Sequence, residues 1–148
     1  MVNPKDKGNT NELRVYRWFK EMGVPAACIR ASGNLFDESG DLIVDGRFCL
    51  ECKHHKAVMP AESRAWWLKI CNEAKTMRME PMLQIRENNR PDRWRLLYPG
   101  QTDPELWMEI PSQTLLLLLN RRNITPEMPE QGGNEDGRDS EDQTSTAL

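Results

Sequence analysis

Residues 40–53 read GDLIVDGRFCLECK, with an Asp-Gly pair between two short apolar runs. This arrangement is a strong local signal for a β-hairpin, because Asp and Gly tolerate the positive φ that tight hairpin turns require. On the second strand of the hairpin, Glu51 and Lys53 are two residues apart and therefore project from one face. Taken alone, this pair is also compatible with an ordinary ion pair on an exposed strand.

The length of the hairpin loop decides whether Asp41 joins this pair, because opposed residues of an antiparallel ladder point to the same face. A two-residue loop would turn Asp41 and Glu51 to opposite faces. A three-residue loop over residues 44–46 would pair Asp41 with Cys49 and return Asp41 to the face of Glu51 and Lys53. We predict the odd loop length, which gathers two carboxylates and an ammonium where a hard divalent cation would bind.

The apolar periodicity and the turn residues of the remaining chain predict a series of helices and strands. The predicted helices cover residues 9–22, 61–78 and 112–122, and the predicted strands cover residues 26–32, 41–44, 47–53, 82–86 and 94–98. This order indicates an α/β (α+β) fold, in which one mixed sheet of about five strands is flanked by helices.

Glu12 lies on the first predicted helix, three residues after Asn9. This spacing is typical of an N-cap followed by a capping-box acid, which is one role for Glu12. Glu12 also borders the apolar stripe of the helix, where a carboxylate is costly unless it is paired or binds a metal. The two roles are compatible, and the sequence leaves both open.

Cys49 and Cys52 have the spacing of metal ligands, but thiols three residues apart on a strand point to opposite faces. The other two cysteines, Cys28 and Cys71, are distant in sequence. We therefore expect buried apolar thiols rather than a zinc site.

The charge is distributed unevenly along the chain. Residues 126–148 contain seven acids and one arginine, a net charge of −6, whereas the whole chain carries −3, so residues 1–125 carry +3. The last 23 residues contain no aromatic side chain, and we expect one folded domain, residues 1–125, followed by a disordered acidic tail, residues 126–148. The longest apolar run has five residues, far below the about 20 of a membrane span. We expect a soluble cytoplasmic protein that does not enter a membrane.

Four short blocks carry a family resemblance: Lys7-Gly8 followed by Glu12, then Arg30-Ala31-Ser32-Gly33, then Asp41, then Glu51-Cys52-Lys53. In this order and spacing they resemble the PD-(D/E)XK nuclease superfamily, and within it the archaeal-type Holliday junction resolvases, a family that is also present in phages. The resemblance covers about residues 7–56, and extends more loosely to Tyr98. Gly40 stands where the motif has its proline, and Cys52 replaces the usual aliphatic residue.

The resemblance implies a restriction-endonuclease-like core and a role for each matching residue. The implied metal-binding acids, for Mg²⁺ or in its place Mn²⁺, are Glu12, Asp41 and Glu51. The main-chain carbonyl of Cys52 is a further implied ligand, and Lys53 is the implied catalytic lysine. The implied DNA contacts are Lys7, Arg30 and Ser32, with Ser32 also catalytic near the scissile phosphate.

The implied function is that of a structure-selective DNA endonuclease, a Holliday junction resolvase of phage type that hydrolyses backbone phosphodiesters with metal-activated water. Two opposed nicks in a four-way junction require two sites, so we expect a homodimer. Adjacent Trp66 and Trp67 cannot both face inward, which makes one of them a candidate for the subunit interface. The alternatives are a nuclease of the same fold acting on other branched or duplex DNA, and a non-catalytic DNA-binding module.

Deleting residues 126–148 should leave folding and cleavage intact and strengthen non-specific DNA binding, because it removes a charge of −6 from a body of +3. Salt should reduce the difference, since exposed charges are screened over about 8 Å at physiological ionic strength. Titration of full-length and truncated protein with duplex DNA at two salt concentrations measures this. Equal affinities at low salt would contradict an action of the tail on the DNA site.

Overall fold

The computed structural model describes residues 4–28 and 41–124, with side chains for residues 10–28 and 41–119. Three predictions fall outside these ranges: Arg30 and Ser32 as site residues, the second half of the strand at residues 26–32, and the acidic tail, residues 126–148. The chain divides into two compact units, Met1–Leu115 and Leu116–Leu148. The first unit contains the candidate site, and the second is described only as far as Ile124.

The described residues form three helices and six strands. In chain order they are α1 (Pro4–Glu21), β1 (Ala26–Cys28), β2 (Leu42–Val44), β3 (Phe48–His55), α2 (Pro60–Thr76), β4 (Glu80–Glu87), β5 (Arg93–Leu97), β6 (Trp107–Pro111) and α3 (Ser112–Ile124). Within the described ranges, none of the helices combines the length and the hydrophobicity that crossing a membrane requires.

The six strands form one sheet in sequential order, β1 to β6. All neighbouring pairs are antiparallel except β3 and β4, which run parallel and are joined by α2. A parallel pair needs such a crossover, because the chain must return to the edge at which the first strand began before the second strand can run in the same direction. This mixed sheet with helices confirms the predicted fold class, with six strands in place of about five.

The two long helices cover opposite faces of the sheet. On α1, Asn11 donates a hydrogen bond to Gln84 over 2.9 Å, and the ring of Phe19 lies 5.4 Å from that of Trp94. The core below α2 is a cluster of buried side chains: Cys49, Trp67, Ile70, Ala74, Leu83 and Ile85. Because consecutive residues Leu83 and Gln84 of β4 point to opposite faces, α1 and α2 pack on different sides.

Helix α1 begins at Pro4, five residues before the predicted N-cap. Proline is compatible with the first turn of a helix, where its missing N–H would have no intrahelical acceptor. Asn9 therefore lies inside the helix, and the prediction that Asn9 and Glu12 form a capping box is wrong. A carboxylate at this position is stabilised by a partner or by a metal, and metal binding by Glu12 stays a prediction.

Strand β6 was missed by the sequence analysis. Residues 107–111 show little alternation, and a Pro-Gly pair and a second proline precede them. Cross-strand ion pairs hold this strand against β5: Arg93 and Arg95 both contact Glu109, at 3.0 and 2.6 Å. These partners are 14 and 16 residues apart, so local sequence patterns could not reveal the pairing.

Helix α2 ends in a left-handed residue. Arg78 has a φ of 58°, its N–H donates to Lys75, and the N–H of Met79 donates to Ala74. These two hydrogen bonds form a Schellman motif, whose left-handed position is usually occupied by glycine. An L-residue there costs roughly 1–2 kcal/mol, because its Cβ crowds the backbone.

Replacing Arg78 by Gly should raise the free energy of unfolding by about 0.5–1 kcal/mol, because relief of this crowding outweighs the added freedom of the unfolded chain. Urea denaturation followed by far-UV circular dichroism measures the effect. The matched control is Lys75→Gly, one helical turn earlier, which should lower stability by a similar amount. A loss of stability in Arg78→Gly would contradict the analysis of this helix end.

Candidate active site

The β2–β3 hairpin has a three-residue loop. Val44 lies opposite Phe48 in the ladder, which leaves residues 45–47 between the strands. The N–H of Arg47 donates to the carbonyl of Val44 over 3.1 Å and closes a turn, and Arg47 is then the extra residue. The odd loop length is as predicted, but the loop lies one residue later than the predicted loop over residues 44–46, so the expected pairing of Asp41 with Cys49 is wrong.

Asp41 lies at the end of the ladder, level with Glu51. The last ladder pair is Leu42 with Leu50, and the N–H of Asp41 donates to the Leu50 carbonyl over 2.8 Å. The Oδ2 atom of Asp41 accepts a hydrogen bond from the Cys52 N–H, also over 2.8 Å. Only 8% of Asp41 is exposed. A hydrogen bond thus holds the Asp41 carboxylate against the backbone of β3, directly beside Glu51.

Glu51 and Lys53 project from the same face of β3, as expected. The Nζ atom of Lys53 lies 3.2 Å from Oε2 of Glu51, and Glu51 is 8% exposed. This is the face that α2 covers, because Cys49, two residues before Glu51, belongs to the cluster below α2. The ion pair therefore lies partly out of water, where a charge pair interacts more strongly than on an open surface.

Glu12 reaches the same region from α1, on the other side of the sheet. The pKa of the Cys52 thiol reflects this proximity. Burial raises this pKa well above the usual value, and the negative charges of Asp41, Glu12 and Glu51 raise it further. The pKa of Cys28 is raised by burial and then by Glu12 and Asp41. Glu12 on α1 is therefore near enough to this end of the sheet for its charge to act on both thiols, as the charge of Asp41 does.

The donor set suits a hard divalent cation, which prefers carboxylate and carbonyl oxygens. Among residues 10–28 and 41–119, no three His, Cys, Asp or Glu side chains are grouped so as to hold a metal ion. In the arrangement observed, the Glu51 carboxylate faces Lys53 and Oδ2 of Asp41 faces the Cys52 amide. Metal binding by Glu12, Asp41, Glu51 and the Cys52 carbonyl therefore stays a prediction.

Of the eight predicted site residues, the structure brings together Asp41, Glu51, Cys52 and Lys53, and Glu12 lies near enough for its charge to act on the Cys52 thiol. Lys7 lies on α1, but its side chain is outside the described part of the chain. Arg30 and Ser32 are outside it altogether. The DNA contacts predicted for these three residues remain untested predictions.

Trp66 lies beside the candidate site, and the sequence did not predict this position. Its ring centroid lies 5.4 Å from Nζ of Lys53 and 4.9 Å from the ring of His55. The only sequence signal was the Trp66-Trp67 pair, of which one residue had to face away from the core. Trp67 takes the buried position, at 1% exposure, and Trp66 lies against β3.

The thiols of the cysteine pair face opposite sides of the sheet, as expected for a strand. Cys49 packs below α2, whereas Cys52 lies level with Gln84, on the α1 side. Burial raises the pKa of Cys49 to about 12, with smaller contributions from Glu73, Glu51 and Asp41. A hard divalent cation prefers oxygen to sulfur, so the group of Cys52 that would serve such a site is its carbonyl.

At pH 8, Cys49 in the folded protein should react with iodoacetamide far more slowly than in urea. A thiol of pKa about 12 holds about a thousandfold less thiolate than one of pKa 9, and the thiolate is the nucleophile. Mass spectrometry of the peptide that contains Cys49 measures the labelling over time. Labelling at equal rates in the folded and unfolded protein would contradict the burial of this thiol.

Comparisons with known proteins give a likeness to solved structures and none to a family model or a curated protein. No family model matches the chain, and no curated protein matches it. Among solved structures, it is similar to Hjc of Archaeoglobus fulgidus, a Holliday junction resolvase from an archaeal hyperthermophile. The two are 16% identical, the match covers 74% of this chain and 93% of the other, and the TM-score is 0.44.

Proposed function

We propose that this chain is a divalent-metal-dependent DNA endonuclease that resolves four-way junctions, a Holliday junction resolvase of phage type. The observation that supports the proposal is the convergence of Asp41, Glu51 and Lys53 at one end of the sheet, with Glu12 approaching from α1. Buried carboxylates are stabilised by pairing or by a metal, and an excess of carboxylates over one lysine suits a divalent cation. A phosphodiester with its cation is a ligand of matching charge.

The residues of the site have separate tasks in this proposal. A divalent cation held by Glu12, Asp41, Glu51 and the Cys52 carbonyl would supply Lewis-acid stabilisation of the phosphate charge. Lys53 brings a positive charge to the non-bridging phosphate oxygens and to the attacking water. The hydrogen bond from the Cys52 amide keeps the Asp41 carboxylate in place without a change of backbone conformation. Hydrolysis would leave a 5′-phosphate and a 3′-hydroxyl, as the superfamily resemblance implies.

The four-way junction as substrate rests on the four sequence blocks that resemble the junction resolvases. Resolution requires two nicks on opposed strands, and a two-fold symmetric homodimer would present one site to each strand. We expect the protein to act in the cytoplasm, that of the host cell if a phage encodes it.

The decisive experiment is cleavage of a synthetic four-way junction beside a linear duplex of the same sequence, with Mg²⁺, with Mn²⁺ and with EDTA. We expect the junction to be cut, the duplex to be spared, and EDTA to abolish cleavage. Equal cutting of both substrates would contradict junction selectivity and would indicate a nuclease that acts on duplex DNA. Junction binding without cleavage in the presence of either metal would indicate a non-catalytic DNA-binding module.

Three single substitutions test the residue roles: Asp41→Asn, Glu51→Gln and Lys53→Ala. Each should reduce cleavage by at least about a hundredfold, because each removes a charge needed at the reacting phosphate. Junction affinity should stay within a few-fold of wild type, because contacts with the DNA backbone carry most of the affinity. Gel-shift titration and single-turnover cleavage separate the two effects.

The matched controls make the same chemical changes at exposed residues away from the site, Glu105→Gln and Lys75→Ala. Both controls should bind and cleave as the wild type does. Cleavage near the wild-type rate by Asp41→Asn or Glu51→Gln would refute the assignment of the site.

A further inference from the structure

Two adjacent tryptophans of α2 have different environments. Trp67 is fully buried, and its Nε1 donates to the Pro104 carbonyl over 2.7 Å, which anchors the helix to the chain before β6. Trp66 is half-buried and faces β3. Its ring lies over Nζ of Lys53, 5.4 Å from the ring centroid, and beside the His55 ring at a tilt of 41°.

The Lys53 ammonium consequently has two partners of different kinds. One is the Glu51 carboxylate at 3.2 Å, and the other is the indole face of Trp66. A lysine side chain has four flexible torsions, so a single ion pair holds its charge loosely. An aromatic face attracts a cation through the negative potential of its π-system, and this attraction increases when both groups are withdrawn from water.

Metal binding would affect the contacts of Lys53 with Glu51 and with Trp66 differently. In the proposed function, Glu51 also serves the divalent cation, so its contact with Lys53 competes with metal binding. The contact with Trp66 does not compete, because an indole ring is not a ligand for a hard cation. Trp66 is thus the partner that can keep the ammonium at the site throughout the reaction.

We propose that Trp66 is the positioning residue of Lys53 and holds its ammonium at the reacting phosphate by a cation–π contact. This inference rests on the proposed function. Trp66 acts through Lys53 and takes no part in the bond changes. His55, two residues after Lys53 on the same strand face, packs on the ring and supports its orientation.

The test compares Trp66→Leu, which keeps an apolar side chain but removes the ring, with Trp66→Phe, which keeps an aromatic face. Cleavage of the four-way junction is measured at a single turnover with saturating enzyme. We expect the maximal rate to fall by about 3- to 30-fold in Trp66→Leu and by less than about threefold in Trp66→Phe. Junction affinity should change by less than about twofold in both, because only the chemical step loses a positioned charge.

A matched control comes from the second half-buried tryptophan that lies over a cation. Trp107 covers the Arg95 guanidinium at 3.9 Å, on strands remote from Lys53 along the sheet. Trp107→Leu removes an equal volume and should leave the maximal rate at the wild-type value. An equal loss in Trp107→Leu and Trp66→Leu would mean that general loosening lowers the rate, and would overturn the positioning role.

A second readout does not depend on cleavage. In the folded protein without DNA, NMR should show the ε-methylene protons of Lys53 shifted upfield by the indole ring current, with the signal assigned by its loss in Lys53→Arg. The shift should persist in part in Trp66→Phe and vanish in Trp66→Leu. An unshifted signal in the wild type would overturn the contact itself.

The outcomes separate this inference from the function on which it rests. A wild-type protein that cleaves the junction, together with a Trp66→Leu variant of equal rate, overturns the positioning role alone. A Trp66→Phe variant as slow as Trp66→Leu does the same, because the aromatic face would then be irrelevant. A wild-type protein that cleaves no junction overturns the proposed function, and the role of Trp66 in it falls at the same time.

Discussion

The pairing of Val44 with Phe48 is the constraint on which the candidate site depends. Side chains alternate across a strand, so a slip of one residue would carry Glu51 and Lys53 to the opposite face from Asp41. The turn keeps this register because Asp45 and Gly46 adopt φ values of 59° and 63°, which few residue types accept. The conformation of Asp45 and Gly46 thereby controls which face of the sheet carries charges four to eight residues away.

A buried polar contact links α1 to the sheet and so influences the position of Glu12. Asn11 donates to Gln84 while its own carbonyl oxygen accepts from Arg14, and both Asn11 and Gln84 are almost fully buried. Nε2 of Gln84 has no hydrogen-bond partner among the described residues, which is a cost that an apolar pair would not carry. The contact fixes the rotation of α1 about its axis, and Glu12 is the next residue along.

At the opposite edge of the described sheet, buried and half-buried charges add to the apolar packing. Arg95 is 5% exposed and lies between the rings of Trp67 and Trp107, where it bonds to Glu109 and to Ser63 of α2. Removing one partner of such a buried pair costs about 3–5 kcal/mol, because the other charge stays unpaired. This network connects β5 and β6 to α2 through Ser63.

Local patterns in the sequence determined the types of most elements, the sheet as a mixed one, and the shared face of Glu51 and Lys53. These features depend on interactions between residues close in the chain, on side-chain periodicity and on turn chemistry, all of which are visible in the sequence. The tertiary structure decided the loop register, the start of α1, the existence of β6 and the position of Trp66. Each of these results from contacts between distant residues, such as Glu109 with Arg95 or Trp66 with Lys53, whose energies no local pattern records.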